Sequence, residues 1–380
     1  MNLSLLGIFK YGSFFIGSVN GIFGSAIPDP GLPLPIGISF FTFQSMSYTI
    51  DLYRRNIKVQ KNFIDFAAFV TMFPQIVAGP IVRYEDVSAQ LASRTVDFRS
   101  MSDGITRFVC GMCKKVLIAN SIGALWTDVK AQDYASMPAA TAWLGIAAFT
   151  LQIYFDFSGY SDMAIGLGKM LGFDFPENFR YPYNSKSVAE FWRRWHITLG
   201  DWFKSYVYFP LGGSRGSTAA TIRNTLIVWL LTGLWHGASW NFILWGLYYG
   251  VLIILEKFVF RRLLERTPSA LRHILTMLAV VFGWVIFEIT SPASELEFVK
   301  AMLGFGGSFA NSFTLNALHN YAVTFIAAIA ISTGIPLKIC KKLPEKRADT
   351  LSLVGEAAGM TACIACLVDS GYNPFLYFNF

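Results

Sequence analysis

Charged residues are scarce in this sequence. Asp, Glu, Lys and Arg make up 14% of its 380 residues, whereas hydrophobic residues make up 54%. Soluble domains carry roughly 25% charged residues. The apolar residues fall into many long runs, and a helix of about 20 such residues crosses a bilayer. The shortage of charge therefore predicts an all-α, polytopic transmembrane helical bundle, organised as one membrane domain over residues 1–380.

Histidine and cysteine are also few, with 4 and 5 residues respectively. Two CxxC spacings, Cys110-x-x-Cys113 and Cys363-x-x-Cys366, match a spacing found in zinc sites, but no histidine is close in sequence to either pair. Both pairs lie in apolar segments predicted to be helical, where cysteine commonly acts as a small hydrophobic residue. We predict packing roles for these cysteines, with no bound metal and no bound cofactor.

The basic residues gather in short connections at the ends of apolar runs, at 54–61, 257–273 and 338–350. Under the positive-inside rule, such clusters mark cytoplasmic loops. They form no continuous stripe of the kind that nucleic-acid binding favours. We therefore predict a multi-pass protein of the cytoplasmic (inner) membrane with no nucleic-acid partner. If the last two clusters both face the cytoplasm, the final three spans run out, in and out, and the C-terminus lies outside.

One ionisable side chain, His236, lies near the middle of the apolar stretch 224–256. Ionisable groups at membrane depth are costly and usually face a bundle interior or an aqueous cavity, so each is a functional candidate. Burial favours the neutral imidazole, which can accept a proton as a general base. The alternative is a histidine that only hydrogen-bonds a neighbouring helix, and the residues alone favour neither interpretation.

Two segments depart from the pattern of simple spans. The apolar segment 63–82 is interrupted by Pro74, Gly79 and Pro80, which predicts a re-entrant or broken segment. Such breaks survive at membrane depth only when they are buried in protein or line a cavity. Residues 104–126 carry three basic side chains in apolar text. They predict either a weak span or a helix that lies at the membrane interface.

The segment 187–210 interleaves tryptophans with basic residues, which predicts a helix lying in the headgroup layer. On one continuous helix His196 would share a face with Trp192, four residues earlier. The basic side chains of this segment would either attract a phosphate-rich ligand or anchor the helix to anionic lipid.

Asp156 and Asp162 lie in a segment of mixed polar and apolar residues that follows the apolar run at 141–155. Two carboxylates in such surroundings could be catalytic or could line a pathway. Hydrogen bonding between neighbouring helices is at least as good an explanation, and the sequence leaves both open.

Several blocks of the sequence resemble the membrane-bound O-acyltransferase (MBOAT) family. The resemblance is to the bacterial branch that includes alginate O-acetyltransferases and the D-alanine-transfer protein of teichoic acids. The matching blocks are LPIGISFFTFQSMSYTIDLYR, IDFAAFVTMFPQIVAGPIVRY, LQIYFDFSGYSDMAIGLGKMLGFDFPENFRYPY, EFWRRWHITLGDWFKSYVYFPLGG and LTGLWHGASWNFILWG, with YNPFLYFNF at the C-terminus.

The resemblance implies the transmembrane bundle of this family, with re-entrant and interfacial helices. It implies that His236, in its W-H-G setting, matches the family's catalytic histidine and that His196, in R-R-W-H, matches the second one. Both would lie near a tunnel where an acyl donor from the cytoplasm meets an acceptor from the outer side. Trp235, Trp240 and Asn241 are candidates for lining this substrate channel because of their spacing from His236.

The implied activity is O-acyl transfer, with acetyl-CoA or another acyl thioester as the donor and an exported polysaccharide such as alginate as the acceptor. The implied partners are the lipid bilayer and a separate extracytoplasmic acyltransferase. The alternatives are D-alanyl transfer to teichoic acid, a transporter, and a non-catalytic scaffold of an export complex. Relatives have further apolar helices before the text that matches residues 6–11, so the resemblance also implies that N-terminal helices are missing from this chain.

Overall fold

The structure, a computed structural model, describes residues 2–340, 342–369 and 375. Over these residues it consists of α-helices and turns with no strand, which confirms the predicted all-α fold. The α-helices in chain order are α1 (Asn2–Phe23), α2 (Ile38–Tyr53), α3 (Phe63–Thr71), α4 (Tyr84–Ala92), α5 (Phe98–Cys113), α6 (Asn120–Lys130), α7 (Ala139–Met170), α8 (Val188–Arg194), α9 (Ile197–Phe203), α10 (Thr218–His236), α11 (Trp240–Ile254), α12 (Arg261–Arg266), α13 (Ser269–Glu288), α14 (Pro292–Met302), α15 (Ser312–Ser332), α16 (Ile335–Cys340) and α17 (Glu345–Asp369).

Six helical segments of the described chain are long and apolar enough to cross a membrane. They are Asn2–Phe23, Phe98–Lys130, Trp240–Val259, Ser269–Glu288, Ser312–Ser332 and Lys346–Val368. The protein is thus a multi-pass membrane protein. A π-helical turn joins α5 to α6 in the second segment, which favours a span over an interfacial helix for residues 104–126. The direction of the last three spans stays a prediction, and most of the matching C-terminal block lies outside the described residues.

The apolar stretch 224–256 is two antiparallel helices, so the prediction of one span with a central histidine was wrong. Helix α10 ends at His236, Gly237 is extended, and α11 begins at Trp240. The helix ends here because Gly237 turns the chain back sharply, and a Cβ on this residue would collide with the ring of Phe242. His236 therefore lies at a helix C-terminus, in the turn between two helices.

Segment 187–210 is not one interfacial helix, contrary to our prediction. Helices α8 and α9 meet at His196, and the rings of Trp195 and Trp202 are buried in the protein. Trp202 stacks on Phe43 of α2 with ring centroids 3.8 Å apart. The prediction failed because interleaved aromatic and basic residues do not reveal whether the rings face lipid or neighbouring helices.

The segment 63–82 contains α3, which ends at Thr71, followed by turns and extended chain up to α4. This confirms the predicted break. Ile81 and Val82 are buried in the protein, which is where non-helical backbone is tolerated at membrane depth.

Helix α2 begins at Ile38, one residue after Gly37. Gly37 has φ 74°, and a Cβ there would collide with the carbonyl oxygen of Ile76, so this position requires glycine. Pro33 and Pro35 therefore lie before the helix and not in its first turn, because the left-handed glycine sets its start.

Ion pairs join α5 and the π-helical turn that follows it to α7. Lys114 Nζ lies 2.5 Å from Asp162 Oδ2, and an Arg107 guanidinium nitrogen lies 2.6 Å from Asp162 Oδ1. Lys115 pairs with Asp156. Charged side chains at membrane depth commonly pair with one another. These contacts favour the helix-to-helix interpretation of the two aspartates over a catalytic one.

Candidate active site

His196 occupies the junction between α8 and α9. Its φ of 45° lies in the left-handed region, which residues other than glycine adopt uncommonly. Such backbone strain persists only where the surroundings hold it in place. Here the ring Nδ1 lies 3.1 Å from Asn178 Oδ1, and the Ile197 N–H donates to the Asn178 backbone oxygen at 3.0 Å. The helix break at Trp195 means that His196 does not share a helical face with Trp192, contrary to our prediction.

Asn178 is fully buried and holds together three segments around this ring. Its Oδ1 accepts hydrogen bonds from the Thr198 hydroxyl at 3.0 Å and the Thr198 N–H at 3.4 Å. Its Nδ2 donates to Ser161 Oγ on α7 at 3.1 Å. Thr198 Oγ1 also accepts from the Ile81 N–H at 2.9 Å, which connects the broken segment. Sequence reasoning missed Asn178, although it lies within one of the matching blocks.

His236 is enclosed by aromatic rings. The centroids of Trp245, Trp235 and Phe287 lie 4.9, 5.1 and 5.4 Å from that of the imidazole. The residue is 6% exposed, and its Nδ1 has no hydrogen-bond partner among the described residues. A buried polar atom without a partner is unusual in proteins and calls for an explanation. His236 Nδ1 is therefore a candidate atom for bonding a substrate.

Helix α1 holds the backbone of this histidine. Lys10 Nζ lies 2.5 Å from the carbonyl oxygen of Trp235 and 3.3 Å from that of His236, and Tyr11 Oη lies 2.5 Å from that of Leu234. The last carbonyls of a helix lack intrahelical partners, and a cation is favourable at this end. The two α1 side chains therefore cap α10. Sequence reasoning gave Lys10 no role in the site.

Trp235 contacts both imidazoles, with ring centroids 5.7 Å from His196 and 5.1 Å from His236. The structure thus brings the two predicted histidines to one indole. The prediction that both line one substrate channel is not tested by this contact alone.

The other two channel candidates lie on the first turn of α11. Asn241 is buried, and its Nδ2 donates at 2.9 Å to the backbone oxygen of Phe287, whose ring contacts His236. Trp240 is 56% exposed and packs against Phe14 of α1. Asn241 therefore bonds the backbone of a residue that contacts His236, whereas Trp240 packs on α1, and a channel role for either residue stays a prediction.

His196 lines a cavity of about 370 Å³ whose lining also includes Arg193, Lys204 and Lys257. On α10 the cavity reaches Thr232, one turn before the C-terminal histidine of that helix. The cavity therefore connects a basic region to the buried His196 ring.

Two other features adjoin the site. Arg193 and Lys204 line the His196 cavity, whereas Arg194, the third basic residue of segment 187–210, pairs with Glu190 at 2.8 Å. A second, apolar cavity of about 490 Å³ between α1, α2 and α10 reaches Trp235. The basic character therefore belongs to the His196 cavity and not to both.

No group of three or more His, Cys, Asp or Glu side chains that could hold a metal ion is found in the described part of the chain. One cysteine from each CxxC pair meets the other, with Cys113 Sγ 3.8 Å from Cys363 Sγ, where α5 packs against α17. The packing role predicted for these cysteines stays a prediction.

Residues 40–294 match the model of the MBOAT, membrane-bound O-acyltransferase, family. The chain is 46% identical over 310 residues to a probable alginate O-acetylase of Pseudomonas aeruginosa, covering 80% of this chain and 59% of that relative. It is 36% identical over 336 residues to a peptidoglycan O-acetyltransferase of Helicobacter pylori (80% and 64% covered). It is 27% identical over 278 residues to a teichoic acid D-alanyltransferase of Bacillus subtilis (67% and 68% covered).

The chain spans about three-fifths of the length of the alginate O-acetylases that it matches. Asn178, His196 and His236 all fall within the family match. The chain therefore belongs to the membrane-bound O-acyltransferase family.

Proposed function

We propose that this protein is a membrane-embedded O-acyltransferase that moves an acetyl group from a cytoplasmic thioester, such as acetyl-CoA, for O-acetylation of an exported polysaccharide such as alginate. The observation that carries the proposal is the contact of His196 and His236 with one indole, beside a cavity with basic residues. The relatives named for O-acetylation are 46% and 36% identical, and the D-alanyltransferase is 27% identical. This difference supports acetyl over D-alanyl transfer.

The charge of the His196 cavity supports an anionic donor. Lys204 and Lys257 line it, and Lys257 belongs to the connection predicted to face the cytoplasm. A basic region attracts a phosphate-bearing ligand and raises its local concentration. The donor thioester would enter from this end and place its acyl carbon near the two imidazoles.

In the proposed reaction the acceptor hydroxyl oxygen attacks the thioester carbonyl carbon. His236 takes the hydroxyl proton as the C–O bond forms. The C–S bond then breaks, and the leaving thiolate receives that proton to become a thiol. His196 either orients a substrate or donates a hydrogen bond to the oxyanion that develops on the carbonyl oxygen.

The proposed setting is one membrane domain, residues 1–380, in the inner membrane, where cytoplasmic thioesters are available. We expect a separate extracytoplasmic acyltransferase as partner, which would carry the acetyl group onward to the polymer. A transporter or a non-catalytic scaffold would require no proton acceptor at His236.

The experiment is replacement of His236 by Ala in the producing organism, with acetate measured on the secreted polymer and the protein quantified in membranes. We expect acetylation to be lost at an unchanged protein level. Undiminished acetylation would remove His236 from the chemistry and favour the scaffold or transporter.

A further inference from the structure

The orientation of the Asn178 amide follows from the groups around it. The Thr198 backbone N–H, whose nitrogen is 3.4 Å from Asn178 Oδ1, can only donate, so the atom that faces it is the amide oxygen. On the other side, Nδ2 has the Ser161 hydroxyl as an acceptor at 3.1 Å. Rotating the amide by half a turn would set its NH₂ group against the Thr198 N–H. The oxygen therefore also faces His196 Nδ1, 3.1 Å away.

We infer that Asn178 is a positioning residue that holds the neutral His196 ring with its proton on Nδ1. An amide oxygen only accepts, so Nδ1 must donate, and the neutral imidazole then carries its lone pair on Nε2. This matches the way that partners of metal-bound histidines set the tautomer and orientation of the ring. The backbone bond from Ile197 N–H to the Asn178 oxygen holds the strained junction from the same residue.

The consequence concerns how His196 meets a substrate. His196 Nε2 is buried without a hydrogen-bond partner among the described residues, and His196 lines the basic cavity. This role rests on the proposed function: Nε2 of His196 accepts a hydrogen bond from an N–H or O–H group of the substrate. With no proton on Nε2, the neutral ring cannot donate a hydrogen bond to the oxyanion. Of the two roles proposed for His196, the one that remains is to orient a substrate.

The tautomer can be measured without any activity. The chain has 4 histidines, so nitrogen-15 labelling of histidine gives few imidazole signals in solid-state NMR of the whole protein in bilayers, and His196→Gln assigns its pair. We expect wild-type His196 to be protonated at Nδ1 and bare at Nε2. Asn178→Leu should shift the population toward the Nε2–H form, whereas Asn178→Asp, which keeps an acceptor, should retain Nδ1–H. A wild-type ring protonated at Nε2, or one unaffected by Asn178→Leu, overturns the inference.

The same variants test the effect on acetylation of the secreted polymer. We expect Asn178→Leu to lower it about 10- to 100-fold per unit of membrane protein, as loss of such a partner does at metal-bound histidines, and Asn178→Asp to recover part of that loss. Asn224→Leu is the matched control, because Asn224 is 1% exposed and its Nδ2 donates to the Leu211 and Gly213 oxygens at 3.0 Å. It removes a buried amide away from His196 and should leave the tautomer unchanged.

Two results separate this inference from the proposed function. Undiminished acetylation in His196→Ala, together with the expected tautomer, would overturn the role of His196 in transfer and leave the role of Asn178 in place. Equal losses per unit of protein in Asn178→Leu and Asn224→Leu, without recovery in Asn178→Asp, would overturn the positioning role.

Discussion

The two histidines that contact Trp235 are held in opposite ways. The His196 ring is bonded to Asn178, and its strained backbone is held by the same residue. The His236 ring is surrounded by aromatic side chains, and its position depends on backbone carbonyls capped by Lys10 of α1. Among the described residues, the His196 ring is oriented by a hydrogen bond to its own nitrogen, and the His236 ring by the aromatic rings packed around it.

This difference indicates different roles for the two imidazole rings in the reaction. A ring whose Nδ1 proton is held by a protein acceptor presents a bare Nε2, which accepts a hydrogen bond or a proton. His236 Nδ1 has no hydrogen-bond partner among the described residues, so a substrate can bond there and the ring can take up a proton during the reaction. Under the proposed function, His236 transfers the proton and His196 binds a substrate group through Nε2, and the variants below test this division.

Removal of the rings tests this division most severely. Since general acid–base catalysis contributes about 10²- to 10⁴-fold, we expect His236→Ala to lower the rate of acetyl transfer about 10³-fold. His196→Ala removes one hydrogen bond to substrate, worth about 1–3 kcal/mol when its partner is left buried and unpaired, and should lower the rate about 10- to 100-fold. Acetate on the secreted polymer per unit of membrane protein is the measurement. A larger loss for His196→Ala would reverse the assignment.

The cap on α10 tests the His236 side alone. Lys10→Met leaves two carbonyl oxygens without their donor, and since misplacing a reacting group by about 1 Å can cost about 100-fold, we expect about a tenfold loss of acetylation. Lys10→Arg should recover most of it, and Tyr11→Phe, which removes only the bond to Leu234, should do less harm. The His196 tautomer should stay the same in all three variants. Normal acetylation by Lys10→Met at normal protein levels would show that the cap does not position His236.

The start of α11 offers a pair of adjacent residues with unequal roles. Asn241→Leu removes a bond to the Phe287 backbone, and at about 1 kcal/mol the expected loss is about fivefold. Trp240→Leu changes a half-exposed surface ring, for which an effect within about twofold is expected. Acetylation measured side by side checks the ratio. Equal effects would support the predicted role of Trp240 in the channel.

The smallest effect is expected at the basic end of the His196 cavity. Neutralising Lys204 and Lys257 together to Gln should raise the KM for acetyl-CoA about two- to threefold at low salt, and the effect should fade as salt screens the charges. Arg261→Gln is the control, since Arg261 lies in the same basic connection with 75% of its side chain exposed and does not line the cavity. An identical KM change for Arg261→Gln would point to lipid anchoring rather than donor binding.

Much of the architecture could be predicted from the sequence, because hydrophobic runs of membrane length can form few structures other than a membrane-spanning helix. The break between Pro74 and Pro80 was predicted because proline does not continue a helix. The helix end at His236 was missed because two antiparallel apolar helices with a three-residue turn have the composition of one long span. Gly237 and Ser239 marked that turn.

The contacts that position the site could not be predicted, because they join distant parts of the chain. Lys10 is 225 positions from Trp235, whose carbonyl it caps. Asn178 has no catalytic chemistry of its own, and its importance depends on the fold that brings it to His196. Residue motifs identified the two rings, but only their three-dimensional surroundings distinguish their roles.

The central claim is that both rings act on one transfer reaction at Trp235. The most direct measurement compares acetyl transfer by His196→Ala, His236→Ala and the double variant, at equal protein levels in membranes. Residues that act as a unit show strongly non-additive effects, so we expect the double variant to lose little more than His236→Ala alone. Losses that multiply fully would show two independent contributions, and wild-type transfer by the double variant would contradict the account.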